Sequence, residues 1–128
     1  MIHLYIGNGK GKTTAALGLA VRALGWKKKV LFCQFLKSAK TGETNIFSGL
    51  DCMKFYRPSM RNHGFLWEMD EEAVEETIED LSIGLNEIKK FIQEENYSII
   101  VLDEVLDAVQ CGLLPEESIL EIINSKDA

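Results

Sequence analysis

The sequence predicts an α/β fold, an open and mostly parallel sheet with helices on both faces, and three observations predict it. Short apolar runs at 2–6, 30–35 and 98–104 read as buried strands. Patterns of helical period separate them, at 13–24 and from Asp70 to about Ile92. Between the first strand and the first helix lies the stretch Gly7-Asn8-Gly9-Lys10-Gly11-Lys12-Thr13-Thr14, a glycine loop in the strand-to-helix position where α/β proteins hold anions.

Taken in order, Ile2 to Ile6 form the first strand, and the helix over 13–24 carries Ala15, Ala16, Leu17, Leu19, Ala20, Ala23 and Leu24 on one small, apolar side. Gly25 is its expected C-cap. Lys27-Lys28-Lys29 reads as a solvated turn before the second strand, Val30 to Phe35. Gln34, Phe35 and Lys37, with Gly42-Glu43-Thr44 beyond, then fall at the carboxyl edge of a parallel sheet, where ligands of such sheets bind. A short helix at 45–50 and a third strand at 52–56 follow.

Residues 57–69 have no regular period yet contain Met60, Phe65, Leu66, Trp67 and Met69. Loops of this length are functional or disordered, and large apolar residues argue against disorder, so a binding loop is expected over a core plug. His63 has no visible partner and receives no role. Asp70 caps a helix with an acidic first turn, and Val74, Ile78, Leu81, Leu85, Ile88 and Ile92 recur at spacings of 4, 3, 4, 3 and 4, a stripe expected to face the sheet. After a turn at Asn96, the strand Ser98 to Glu104 ends in two carboxylates, and helices at about 104–111 and 116–124 close the chain.

Composition bounds the rest. The 128 residues, 46% hydrophobic, suit one compact domain, and no signal peptide or membrane span is apparent, so a cytoplasmic protein is expected. Cys33, Cys52 and Cys111 lack metal-ligand spacing and read as buried reduced thiols. The net charge of −6 is divided unevenly, +9 over residues 1–66 and −15 over 67–128. A basic half holding a glycine loop fits a small anionic substrate, and an acidic remainder argues against a nucleic-acid track.

The loop chemistry is specific. Glycines allow a tight turn with N–H groups aimed inward, Lys12 adds a point charge, and the helix start adds its dipole, which together suit a polyphosphate. Thr13 can ligate the accompanying magnesium. The fold expectation becomes a P-loop NTPase-like, RecA-like sheet, with residues 1–128 as a single nucleotide-binding domain. The loop is a shortened variant, with three residues rather than four between Gly7 and Gly11-Lys12-Thr13. An acid at the end of the 98–104 strand can reach the same metal, although Asp103 could instead cap the following helix.

Four pieces together resemble the ATP:corrinoid adenosyltransferases of the BtuR/CobO/CobP type: Gly-Asn-Gly-Lys-Gly-Lys-Thr-Thr-Ala-Ala at 7–16, Gln-Phe-Leu-Lys at 34–37 with Gly42-Glu43, Gly-Phe-Leu-Trp-Glu at 64–68, and Val-Leu-Asp-Glu at 101–104. The resemblance runs through essentially the whole chain. It implies transfer of the 5′-deoxyadenosyl group of ATP to Co(I) of a corrinoid, with triphosphate leaving. It places the phosphate loop on Gly7, Asn8, Gly9, Lys10, Gly11, Lys12, Thr13 and Thr14, with Asn8 and Lys12 at the nucleotide and Thr13 and Glu104 at Mg2+ or Mn2+. The family's nucleotide lies reversed, exposing C5′ to cobalt. Phe65 and Trp67 match its aromatic pair on the lower face of the corrinoid, so Lys12, Phe65 and Trp67 are the candidate catalytic residues. The resemblance further implies a homodimer, an electron-donating flavoprotein for Co(II), and neither nucleic acid nor membrane as partner.

The family pattern also has an extension before the first strand and a later strand ending in Thr-Gly-Arg, and neither is present between Met1 and Ala128. A P-loop nucleotide kinase or ATPase, and a non-catalytic ATP-binding interaction domain, stand as alternatives. Product identity separates them, since triphosphate marks adenosyl transfer and ADP marks phosphoryl transfer.

Overall fold

The computed structural model describes residues 2–5, 12–35, 51–62 and 68–125. Strands β1 (Ile2–Tyr5), β2 (Val30–Gln34), β3 (Met53–Tyr56) and β4 (Ile99–Asp103) form one sheet in the order β1-β4-β2-β3, with every pairing parallel. Helices α1 (Lys12–Gly25), α2 (Glu71–Glu94), α3 (Val105–Gln110) and α4 (Glu116–Ser125) complete the described elements. The predicted helix at 45–50 lies outside the described residues.

Burial on both faces explains why the strands read as continuous apolar runs. Val30, Phe32, Met53 and Val101 face α1, whose Ala16, Ala20 and Ala23 are small enough for close approach. The alternate residues Leu31, Cys33, Phe35, Ile100 and Leu102 face the other layer, where Leu81, Leu85 and Ile88 of α2 join Val105, Ala108, Ile119 and Ile122 of α3 and α4. Ala15, expected on the buried side of α1, is exposed.

The end of α1 corrects the expected Gly25 cap. The left-handed residue is Lys27, at φ 57°. Its N–H donates to the Leu24 carbonyl at 2.9 Å, and the Lys28 N–H donates to the Ala23 carbonyl at 3.1 Å, which is the bonding of a Schellman motif. The same motif ends α3 with the preferred residue: Gly112 has φ 76°, and the Leu113 N–H donates to the Ala108 carbonyl at 2.9 Å.

Asp70 caps α2 as expected, its carboxylate accepting from the Ala73 N–H at 2.8 Å. The buried face of α2, however, is rotated from the predicted stripe. Thr77, Asp80 and Gly84 are buried beside Leu81, Leu85 and Ile88, whereas Ile78 is 37% exposed. The segment 57–62 lies along that side of the helix and causes the rotation. Pro58 packs on Gly84, the Asn62 amide donates to the Ala73 carbonyl at 3.2 Å, and Arg61 engages Asp80.

That ion pair is tied by several hydrogen bonds. The Arg61 N–H donates to Asp80 Oδ2 at 2.9 Å and its Nε to Oδ1 at 3.1 Å, while Nη1 meets Glu76 at 3.2 Å. Burial works to raise the Asp80 pKa, but the bonds from Arg61 and its charge outweigh it and leave the carboxyl below its usual value. All three cysteines are free, yet only Cys33 is buried; Cys52 is half-buried and Cys111 exposed, which corrects the expectation for those two. No helix among the described residues is long and apolar enough to cross a membrane.

Candidate functional site

Parallel strands bring their carboxyl ends to one edge, and the register there is informative. Asp103 at the end of β4 pairs with Tyr5 of β1 on one side and Gln34 of β2 on the other. β1 ends at Tyr5 and α1 starts at Lys12, so the glycine loop joins two elements that meet at this edge, and α1 packs across β1, β4 and β2. Lys12 and Thr13 occupy the first turn of α1, and Thr14 in that turn is exposed. Gly7, Asn8, Gly9, Lys10 and Gly11 lie outside the described residues, as do Phe65 and Trp67.

Glu104 follows Asp103 and adopts φ 63°, ψ 16°, a left-handed conformation that costs a non-glycine residue about 1–2 kcal/mol. It occupies the N-cap position of α3 without a side-chain capping bond. The capping role considered for Asp103 is therefore not what the structure has: the cap position is one residue later, and Asp103 serves a different contact. A left-handed acid between a buried strand and a six-residue helix is strain located at the carboxyl edge of the sheet, the edge at which open parallel α/β sheets bind their ligands.

The contact of Asp103 crosses three strands. Its Oδ2 accepts from Gln34 Nε2 at 3.2 Å, and Gln34 Oε1 accepts from Arg57 Nε at 2.9 Å. Gln34 and Asp103 are completely buried. By the alternation of the strands all three residues lie on the α1 face, above the stacked rings of Phe32 and Phe55, and the Arg57 guanidinium is 5.5 Å from the Phe55 ring. Sequence reasoning placed Gln34 and Asp103 at this edge without joining them, and gave Arg57 no part. The available signal was a glutamine ending the apolar run Val30-Leu31-Phe32-Cys33 in phase with an aspartate ending another.

Among the described residues no three His, Cys, Asp or Glu side chains are grouped as a metal cage. Such a cage is not needed for Mg2+, which takes one or two carboxylates together with phosphate oxygens and waters. The carboxylates of Asp103 and Glu104, which follow one another at the end of β4, are oxygen donors of the kind that such a site uses. Cys33 is excluded as a nucleophile, since burial pushes its thiol far up and β2 directs it to the opposite face.

The family model described as ATP:corrinoid adenosyltransferase BtuR/CobO/CobP matches residues 1–128. Similar curated proteins include the corrinoid adenosyltransferase of Escherichia coli K12, 31% identical over 98% of this chain and 62% of that protein. The corrinoid adenosyltransferase CobA of Salmonella typhimurium is 31% identical over the same shares, and that of Pseudomonas aeruginosa 30% identical over 100% and 62%. The chain thus spans about 62% of the length of these relatives. A glycine loop between β1 and α1, a carboxylate pair ending the neighbouring strand and a family match from the first residue to the last agree: the chain belongs to the ATP:corrinoid adenosyltransferase BtuR/CobO/CobP family.

Proposed function

We propose that this chain is the nucleotide-binding domain of a corrinoid adenosyltransferase of RecA-like P-loop class, transferring the 5′-deoxyadenosyl group of MgATP to the Co(I) of a corrinoid. The observation that supports this reading is the register that sets Asp103, with the left-handed Glu104 after it, beside the end of β1, the strand that leads into the glycine-rich stretch, in a chain whose family is named for that reaction.

The chemistry needs no amino-acid nucleophile. Reduced cobalt donates the electron pair that forms the Co–C5′ bond, and the C5′–O bond breaks with its pair leaving on triphosphate. Residues 7–14 hold the polyphosphate, with Lys10, Lys12 and the α1 N-terminus stabilising charge as it develops on the departing oxygen. Thr13 and Glu104 are the residues that would hold Mg2+, which when bound neutralises further phosphate charge. Phe65 and Trp67 would cover the lower face of the corrinoid, excluding the lower axial ligand so that four-coordinate Co(II) is more easily reduced. Correct placement of cobalt opposite C5′ removes much of the entropic barrier. The family resemblance supports a homodimer, a flavoprotein electron donor and a cytoplasmic setting as parts of the same reading.

Anaerobic incubation of the full-length protein with MgATP and chemically reduced cob(I)alamin tests it. A light-sensitive alkylcobalamin spectrum is expected, and Lys12→Ala should lower its rate of formation by at least about a hundredfold, in line with the loss of one preorganised stabiliser of leaving-group charge. Absence of any alkylcobalamin with the unsubstituted protein rejects the proposal.

A further inference from the structure

Arg57, Gln34 and Asp103 form a one-way relay. Arginine only donates, so the Gln34 atom that faces Arg57 is its carbonyl oxygen and the amide nitrogen is left to donate to Asp103. Arg57 Nε donates to Gln34 Oε1 at 2.9 Å, and Gln34 Nε2 donates to Asp103 Oδ2 at 3.2 Å. The relay is also stiff. Gln34 and Asp103 are fully buried, their residues pair in register, and Arg57 is held above Phe55, itself stacked on Phe32 at 5.6 Å.

What the relay reaches is the strained turn. Asp103 is gripped at its side chain by Gln34 and at its carbonyl by the Phe35 N–H, at 3.0 Å. The next residue is Glu104, whose left-handed backbone persists only where its surroundings over-determine it. On the other side its carbonyl accepts from the Ala108 N–H at 3.3 Å, so the turn is clamped at both ends. β3, which has no pairing with β4, is tied to it by Arg57 through Gln34.

We propose that Arg57 is a positioning residue of the metal–nucleotide site: acting through Gln34, it fixes Asp103 and with it the turn that holds Glu104. This rests on Glu104 serving as a metal-binding residue of the ATP site. Removing outer partners of a metal ligand costs roughly 10–100-fold in metal affinity, which sets the size of the effect.

The test separates metal-dependent from metal-independent nucleotide binding. ATP is titrated calorimetrically into the full-length protein with MgCl2 and again with EDTA, and the ratio of the two affinities is the metal-dependent gain. Arg57→Gln should reduce that gain roughly tenfold with ATP affinity in EDTA unchanged. Arg57→Lys, which keeps a donor for Gln34, should recover part of it. Gln34→Leu should match Arg57→Gln, and the double variant should be no worse than Gln34→Leu alone, because both break one path. An Arg57→Gln protein that keeps the full gain overturns the relay, as does equal loss with and without metal, which is the signature of a general structural role. Glu104→Gln distinguishes the two levels. If it loses the gain while Arg57→Gln keeps it, the relay alone is wrong; if Glu104→Gln keeps it, the metal assignment fails and the relay proposal fails with it.

Discussion

Two non-glycine residues in left-handed backbone, Lys27 and Glu104, make a controlled pair. Each bears about 1–2 kcal/mol of conformational cost, and glycine relieves it at an entropic expense of about 0.4–1 kcal/mol in the unfolded chain. Both Lys27→Gly and Glu104→Gly should therefore raise stability by about 0.5–1 kcal/mol in chemical denaturation. If the proposed metal role of Glu104 holds, only Glu104→Gly should also weaken MgATP binding, because Lys27 ends α1 ahead of β2, at the opposite edge of the sheet from Glu104. Destabilisation by Glu104→Gly would contradict the strain argument. At Asp80 the sign follows from its lowered folded pKa: the Arg61 contacts stabilise the fold fully above the ordinary aspartate value near 3.9 and progressively less as pH falls through the folded pKa. Denaturation midpoints measured between pH 6 and 2 should fall less steeply in Asp80→Asn, which starts lower at pH 6 because it loses the ion pair.

Among the helices, the same substitution has opposite signs at two glycines. A methyl group at Gly18 meets nothing within 4 Å, so Gly18→Ala should stabilise by about 0.5–1 kcal/mol through helix propensity alone. At Gly84 the new Cβ would sit 2.6 and 2.7 Å from ring carbons of Pro58. Overpacking of about 1–3 kcal/mol then exceeds the propensity gain of about 1 kcal/mol, and Gly84→Ala should be net destabilising, read as a lower melting temperature. The existence of α2, its Asp70 cap and its core residues Leu81, Leu85 and Ile88 were legible because apolar spacing and capping chemistry are local. Its rotation toward Thr77, Asp80 and Gly84 was not, since it depends on a segment with no period of its own folding back along the helix. For the same reason the Arg57-Gln34-Asp103 relay was hidden: its members are 23 and 69 positions apart and meet only through strand order.

For the whole molecule, strand order decides which strand ends come together. Insertion of β4 between β1 and β2 sets Asp103 level with Tyr5, so the two acids at 103 and 104 stand at the strand end from which the chain runs on into its glycine-rich stretch. The parallel α/β architecture was legible from continuous apolar runs, of which those of β2 and β4 are buried on both faces. The glycine stretch from Gly7 to Gly11 and the pair Phe65 and Trp67 stand out as motifs but lie outside the described residues, whereas the contact of Gln34 with Asp103 and Arg57 was a matter of topology. The proposed adenosyl transfer requires attack at C5′ of ATP rather than at a phosphorus, and phosphorus NMR of the nucleotide products, taken during turnover of the full-length protein with MgATP and cob(I)alamin, distinguishes the two. Intact triphosphate, formed mole for mole with alkylated cobalamin, is the predicted result; ADP with inorganic phosphate, or phosphate transferred to an acceptor, would contradict it.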